Sequence, residues 1–503
     1  MAKPSGRVVT MPPPVGGWDA LSALADMPIE NAPRLDNWFP QTDRVTLRRG
    51  SALFASGLGG SVDTLIPYVG VDGAQQLFGA VSGDIYDATA GGTVGAPVVS
   101  GMTNARWQFV QANTAGGNFL FLCNGEDTPQ QFDGTSWTDS TVAAVGLTAT
   151  NLIWCNVHNR RLWFGEKDSL VAWYLPVNSI TGTPTLFDLS GFASLGGYIM
   201  AMGTWALDSG GGPRETAVFI TSQGEAIVYS GTDPDSDWTL QGTFRIGRPM
   251  GRRCVVKAAS DLIVITEDGF LPFSTALSLD RSQRDRAALS YQINRALNEA
   301  VQRYSGNFGW QPLIYPRGTM IIFNIPTGAA SAQQFVFNTI TAKPCRFTGL
   351  NARAWGLFDD NPYFGTANGR IYRFDTGSTD DGRVIVADAI QAFSYYSTPA
   401  TKAFKMADVL LESDGNPNAA VNLCLDFQML DGQPWTPQTV QGGGIWGEAV
   451  FGEAVFGGTK VYRGWRGLTG LGKSAAVRVR INGNGATPSW LSTSVMYVPG
   501  GML

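Results

Sequence analysis

The sequence predicts an all-β protein: a β-propeller of six or seven blades, with seven the better fit, one helical insertion and an additional C-terminal β-sandwich-like domain. Three observations carry that expectation. Glycine is abundant (62 residues) and only 15% of the 503 residues are charged, a composition suited to short strands joined by tight turns. A hairpin of two apolar strands around a Gly, Asn or Asp turn recurs along the chain. The copies begin at residues 77, 119, 162, 218, 262, 320 and 363, so most steps are 42 to 44 residues. A repeat of about 40 to 50 residues with all-β content is blade spacing, because such a unit buries its faces only against its neighbours.

The first 16 residues, with Pro12-Pro13-Pro14, lack the charged-then-apolar order of a signal peptide and are expected to be flexible or partner-bound, at the start of an N-terminal arm set at residues 1–40. No apolar run is long enough for a membrane span. The propeller is expected over residues 41–395. Its repeats are Leu77–Gly79 with Ile85–Asp87, Phe119–Leu122 turning at Asn124-Gly125, Leu162–Phe164 with Ala172–Tyr174, Val218–Ile220 with Ile227–Tyr229, Leu262–Ile265 turning at Asp268-Gly269, Met320–Phe323 with Phe335–Phe337, and Tyr363–Gly365 with Ile371–Asp375. The two long steps have visible causes. One contains the glycine-rich stretch 208–212, and the other a helix expected from about Asp280 to Tyr304. Ser282 would cap that helix, and Leu289, Ile293, Leu297 and Val301 form one apolar stripe that suits packing on its own propeller.

Residues 396–503 are expected to form the additional β domain, with strands at 407–411, 421–425, 475–481 and 492–498 and an extended loop over 440–475. Within that loop a five-residue tandem, Trp446-Gly-Glu-Ala-Val then Phe451-Gly-Glu-Ala-Val then Phe456, sets aromatic residues at regular intervals. Together with Arg463, Trp465 and Arg466 these are the candidate subunit or partner interface, since aromatic residues and arginine are enriched at such surfaces. After Glu453 there is no acidic residue, only Lys460, Arg463, Arg466, Lys473, Arg478 and Arg480 among charges. Such asymmetry suits an electrostatic partner, DNA in a channel or an acidic neighbouring subunit, or else a solvated strand face.

Signals for chemistry are few. Gly467-Leu-Thr-Gly-Leu-Gly-Lys473-Ser474 spells a P-loop, but a phosphate cradle needs a helix after Ser474, and the following Ala-Ala-Val-Arg-Val-Arg-Ile alternates as a strand. A glycine-rich hairpin loop is the expectation there. His158 is the single histidine and lies in the polar run Asn156–Arg161, where it is expected to be an exposed turn residue rather than a base. Arg248, Arg252, Arg253 and Asp261 are close in sequence, as glycan-acting propeller enzymes would require, without the Asp-box pattern of sialidases. The five cysteines have no ligand-like spacing. No catalytic residue, cofactor or metal ligand is therefore assigned, and the net charge of −5 argues against a broad cationic nucleic-acid surface.

Two blocks carry a family resemblance. Ile29–Gly50 (Ile-Glu-Asn-Ala-Pro-Arg-Leu-Asp-Asn-Trp-Phe-Pro-Gln-Thr-Asp-Arg-Val-Thr-Leu-Arg-Arg-Gly) resembles the N-terminal signature of the tail nozzle, tail hub or packaged-DNA stabilisation proteins of short-tailed bacteriophages (podophages). The second block is Val228–Pro234 with Trp238, Phe244–Arg253, Asp261–Gly269 and Pro272–Ser274. The resemblance implies a non-enzymatic virion tail component assembled in the host cytoplasm: a homohexameric ring below the portal and its adaptor ring. It implies tail fibres, spikes or a needle as neighbours, and transient non-specific contact with double-stranded DNA in the lumen, first held and then passed during genome ejection. Two other classes remain open from the residues alone, a receptor-binding or tail-tip adhesin propeller and a glycan-acting propeller enzyme.

Overall fold

Every hairpin singled out above is an antiparallel pair in the structure, a computed structural model that describes residues 6–208, 213–259, 261–278, 286, 288–417, 419–429, 460–483 and 485–500. Phe78 lies opposite Asp87, Leu122 opposite Gln130, Trp163 opposite Tyr174 and Val218 opposite Val228; Ile265 faces Phe270, Phe323 faces Phe335 and Phe364 faces Tyr372. Turn chemistry sets these registers. Asn159 and Arg160 (φ 48° and 58°) join paired His158 and Arg161, and Asp359 and Asp360 (φ 49° and 54°) join paired Phe358 and Asn361. Two successive positive φ values make the two-residue turn whose twist matches that of the strands. Arg160 is an unusual residue there, and the turn is held by Asn159 Nδ2, which donates to Gly231 O at 2.9 Å.

Five blades stand as separate sheets. They run outward from Val62–Val69, Gln108–Thr114, Leu152–His158, Ile199–Asp208 and Val255–Ala258, with three, four, four, four and three strands in turn. Their central strands are buried on both faces: Leu120–Cys123, Leu162–Phe164 and Val218–Ile220 are at most 1% exposed. This is the burial expected of a sheet sandwiched between neighbours, and each large apolar side chain so buried contributes about 1.5–3 kcal/mol. Between the third and fourth blades Trp163 stacks on Trp238 (4.8 Å, 6°) and meets Phe219 edge-on.

The inner strands follow one another around an axis. Gln108–Thr114 packs on Leu152–His158, that on Ile199–Asp208, and that on Val255–Ala258; the circuit continues through Gln311–Tyr315 and Ala354–Phe358 back to Val62–Val69. The expected count of equal blades is nevertheless corrected. The repeats starting at Met320 and Tyr363 are not free-standing; they are the two ends of one fourteen-stranded sheet whose terminal strands, Gln311–Tyr315 and Ala354–Phe358, touch, so that it nearly closes as a barrel. The cause is edge pairing. Arg34–Asp36 bonds to the outer strand Pro344–Thr348 of one repeat and Ser51–Ser56 to the outer strand Ile371–Phe374 of the other, while Arg383–Ile390 and Thr379–Asp380 connect those additions.

The C-terminal strands do not form a separate sandwich. Ser489–Pro499 lies between Lys402–Ser413 and N-terminal strands, pairing with Arg7–Met11 and Val45–Leu47, and Ala475–Gly483 lies between Arg383–Ile390 and Ala420–Leu425 in the large sheet. The described part of the N-terminal arm is likewise woven in from Arg7 onward. An exposed strand edge lacks partners for half its backbone groups, and here each terminus supplies them for the other.

The helical insertion is broken up rather than continuous. Phe273–Ser278 is one short helix, a 3₁₀ turn stands at Tyr291–Ile293, and Asn294–Tyr304 is a longer helix that continues from it. Ser282 lies outside the described residues. Ser290 is tied elsewhere, its Oγ accepting from Phe270 N at 3.1 Å. The apolar stripe behaves as expected: Ile293 and Leu297 are fully buried, and the helix packs on Met320–Gly328 of its own chain.

Candidate functional site

Inner strands in such a ring present their first residues at one end of the axis. Asp63 and Thr64, Arg106 and Trp107, Arg252 and Arg253, Phe308, and Arg353 all stand at or just before such a strand, and they converge. The ring of Phe308 carries three guanidinium groups, with Arg106, Arg253 and Arg353 at 4.6, 5.3 and 5.5 Å from its centroid. One carboxylate serves them: Arg353 Nη2 donates to Asp63 Oδ1 at 3.0 Å, and Arg106 Nε lies 3.7 Å from Asp63 Oδ2. Arg253 instead donates to Asp63 O (2.9 Å), Thr64 Oγ1 (2.6 Å) and Trp107 O (2.9 Å), so it staples three strand starts together. Dense surrounding protein draws its guanidinium down to about 10, with Asp63 opposing and Arg106 adding to the fall. It stays charged at neutral pH.

Two cavities flank the Arg252-Arg253 pair. The mouth cavity, about 370 Å³, is lined by Asn104, Arg106, Asn124, Glu126, Arg252 and Phe308 among others. The inner cavity, about 400 Å³, runs along the axis past Gln108, Trp154, Asn156 and Thr204 to Glu215 and Lys257, which pair at 3.2 Å. Of the arginines that sequence reasoning grouped with Asp261, only Arg252 and Arg253 reach this axis. Asp261 instead holds Ser274, accepting from its N at 3.0 Å and its Oγ at 2.6 Å. Arg106, Phe308, Arg353 and Asp63 stand in no motif that singles them out in the sequence. The available signal was position: each charge sits one strand upstream of a repeated hairpin.

His158 is not the exposed turn residue expected. It ends its strand, is 1% exposed, contacts Thr204 Oγ1 through Nδ1 at 3.1 Å, and meets Trp238 edge-on at 5.7 Å. The turn begins one residue later, which leaves the imidazole facing inward. Burial drives its pKa down to about 4; Glu215 opposes and Lys257 assists.

The P-loop spelling is a corner between sheets, a correction to the hairpin expected. Arg466–Gly472 pairs with Lys402–Ser413, whereas Ala475–Gly483 pairs with Arg383–Ile390 and Ala420–Leu425. No helix follows Ser474. The amides of Lys473 and Ser474, which would have to meet a phosphate, donate to Asp426 Oδ1 at 2.7 and 3.0 Å.

Two of the six C-terminal cations, Arg478 and Arg480, are turned inward. Arg478, with a fully buried side chain, donates to Asp388 at 2.8 and 2.6 Å; Arg480 and Arg34 reach the same carboxylate at 3.4 and 3.0 Å. Burial raises the Asp388 carboxyl, but Arg478 and Arg34 outweigh it and the net shift is downward. Next to it Arg346 grips Asp36 with two bonds of 2.7 Å, and Arg48 grips Asp380 at 2.9 and 2.5 Å. Asn37 ties both halves: its Oδ1 accepts from Arg48 Nε and Thr348 N, and its Nδ2 donates to Thr348 Oγ1 and Val386 O.

Of the candidate interface residues, Trp446, Phe451 and Phe456 lie outside the described residues. Arg463 is largely exposed, 3.7 Å from Asp408; Trp465 is 39% exposed; and Arg466 donates to Ala419 O. Val461 and Leu471 flank them on the same run of chain, 61% and 72% exposed.

No family model matches the chain, and no curated protein does. Among solved structures it is similar to the computationally designed Ika8 protein (10% identity, 65% of this chain and 100% of that one, TM-score 0.37). It is also similar to BBS1N in complex with ARL6DN (11%, 66% and 99%, 0.39) and to Raptor from Chaetomium thermophilum (10%, 67% and 29%, 0.41). The ring described above rests on the chain's own sheets and not on these likenesses. No described helix is long and apolar enough to cross a membrane.

Proposed function

We propose that this chain is a structural ring subunit of the podophage tail-nozzle class, one of six copies around a conduit through which double-stranded DNA is held and later released. The carrying observation is the place of the Ile29–Gly50 block. Its Asp36, Asn37 and Arg48 bind Arg346, Thr348, Val386 and Asp380 of the near-closed sheet, while its strands Trp38–Pro40 and Val45–Leu47 join the sheet of Ser489–Pro499, and Trp38 and Phe39 fill the core. The segment that resembles the nozzle signature is thus the one that makes ring and terminal layers a single body, which suits a part bearing load more than one turning over substrate. The net charge of −5 suits loose passage of a polyanion. The exposed run Val461, Trp465 and Leu471, on the strand edge beside Lys402–Ser413, offers an apolar surface of the kind that copies use to assemble.

The test is the particle formed by the purified full chain, seen by mass photometry and negative-stain microscopy. Sixfold rings with an open centre are expected, and Val461→Asp with Trp465→Ala should release monomers of unchanged circular dichroism. A trimer would point instead to an adhesin. Monomers throughout, or rings indifferent to both substitutions, would overturn the assignment of ring or interface respectively.

A further inference from the structure

The mouth of the axial cavity has more guanidinium than carboxylate. Arg106 and Arg353 share the Asp63 carboxylate, which also accepts from Ser61 Oγ at 2.7 Å, while Arg253 reaches only the backbone oxygen of Asp63. Among the described residues no carboxylate pairs with Arg252, and its one hydrogen bond there runs from Nη1 to Asn124 O at 3.4 Å, long for a guanidinium donor. Glu126, the one carboxylate among the described residues that line the mouth cavity, lies 3.7 Å from Lys167. Positive charge partly withdrawn from water and short of counter-charge is costly, and a bound anion relieves that cost.

The donors left over point the same way. Arg253 spends its Nη groups on backbone and hydroxyl oxygens, but Arg252 and Arg106 keep most of their N–H groups uncommitted, and both line the same cavity. Gln108, which has no described side-chain bond, borders both cavities. Phe308 closes the floor and holds Arg106 by its ring face, fixing the guanidinium without consuming its donors. A planar fork fixed in this way is the arrangement that takes phosphate or carboxylate with two parallel bonds.

We propose that the mouth of the axial cavity is a binding site for a small oxyanionic ligand, a phosphate or a carboxylate, held between Arg106 and Arg252 with Arg253 behind them. The cavity admits a group of a few atoms to a small metabolite, not a folded partner.

The experiment uses the full chain with inorganic phosphate and with citrate, against sodium chloride at matched ionic strength, read by calorimetry and by thermal unfolding. Saturable binding and a raised Tm are expected with at least one probe, and which probe binds tells phosphate from carboxylate. Arg106→Gln with Arg252→Gln should weaken binding at least about tenfold, the loss of one or two charge-assisted bonds. Arg248→Gln, an exposed arginine outside the cavity, should leave it unchanged. The proposal fails if neither probe binds beyond chloride, or if Arg248→Gln weakens binding as much as the cavity pair. A double variant that no longer folds would be replaced by Arg252→Lys, which keeps the charge but loses the fork and should still bind several-fold more weakly; equal affinity would overturn the proposal.

Discussion

Acidification tests the interior of the ring through one group. His158 is the chain's only histidine, so its titration can be followed without overlap. Its pKa falls from 6.5 to about 4 because the imidazole is buried against Trp238 and Thr204. The folded state therefore refuses a proton that the unfolded chain accepts. Stability from this source is complete above pH 6.5 and is lost as the pH falls from there towards 4. Linkage with those two values gives a loss of about 2 kcal/mol at pH 5 and about 3 kcal/mol at pH 4, relative to pH 8. Two assays check it. An NMR titration of the lone imidazole should show a midpoint near 4, and denaturant midpoints should fall more steeply between pH 6.5 and 4.5 in the native chain than in His158→Gln, which removes the titrating group. A midpoint at 6 or above, or parallel slopes, would refute the argument that burial governs this histidine.

Two substitutions probe the tie between ring and termini. Asp388→Asn leaves Arg34, Arg478 and Arg480 without their shared counter-charge and should destabilise by about 3–5 kcal/mol, measured as a shift in denaturant midpoint; a loss below about 1 kcal/mol would mean solvent screens the cluster. Asn37→Ala removes four hydrogen bonds and forces alanine to adopt φ near 59°, for a cost of about 2–4 kcal/mol, whereas Asn37→Gly should recover only the backbone share of about 1 kcal/mol; equal stability of the two variants would place the whole cost in the side chain.

What the sequence made legible was local. Pairs such as Trp163 with Tyr174 could be read because an alternating strand and its turn lie within a dozen residues. Closure could not, because Asp36 meets Arg346 from 310 positions away and nothing in either segment names the other. That pairing is what turns two expected blades into one curved sheet. Arg478 and Arg480 alternate with Val477, Val479 and Ile481, and alternation alone favours a wet face; the structure dries it because Asp388, directly opposite Arg480, faces the same way. His158 stands one position outside the turn that its polar surroundings suggest, since polarity marks a turn but only backbone φ shows which two residues form it. The axial cluster was hidden for a different reason. Asp63, Arg106, Arg253 and Arg353 are ordinary surface residues in sequence, and only the ring brings them within reach of one phenyl group.

The exchange of strands between the two ends of the chain has a consequence for biosynthesis. Arg7–Met11 is made well before its partner Ser489–Pro499, because nearly all of the described chain lies between them. While the chain between them is being synthesised, the nascent protein therefore carries an unmatched β edge, the kind of surface that recruits the wrong neighbour when many growing copies are close together.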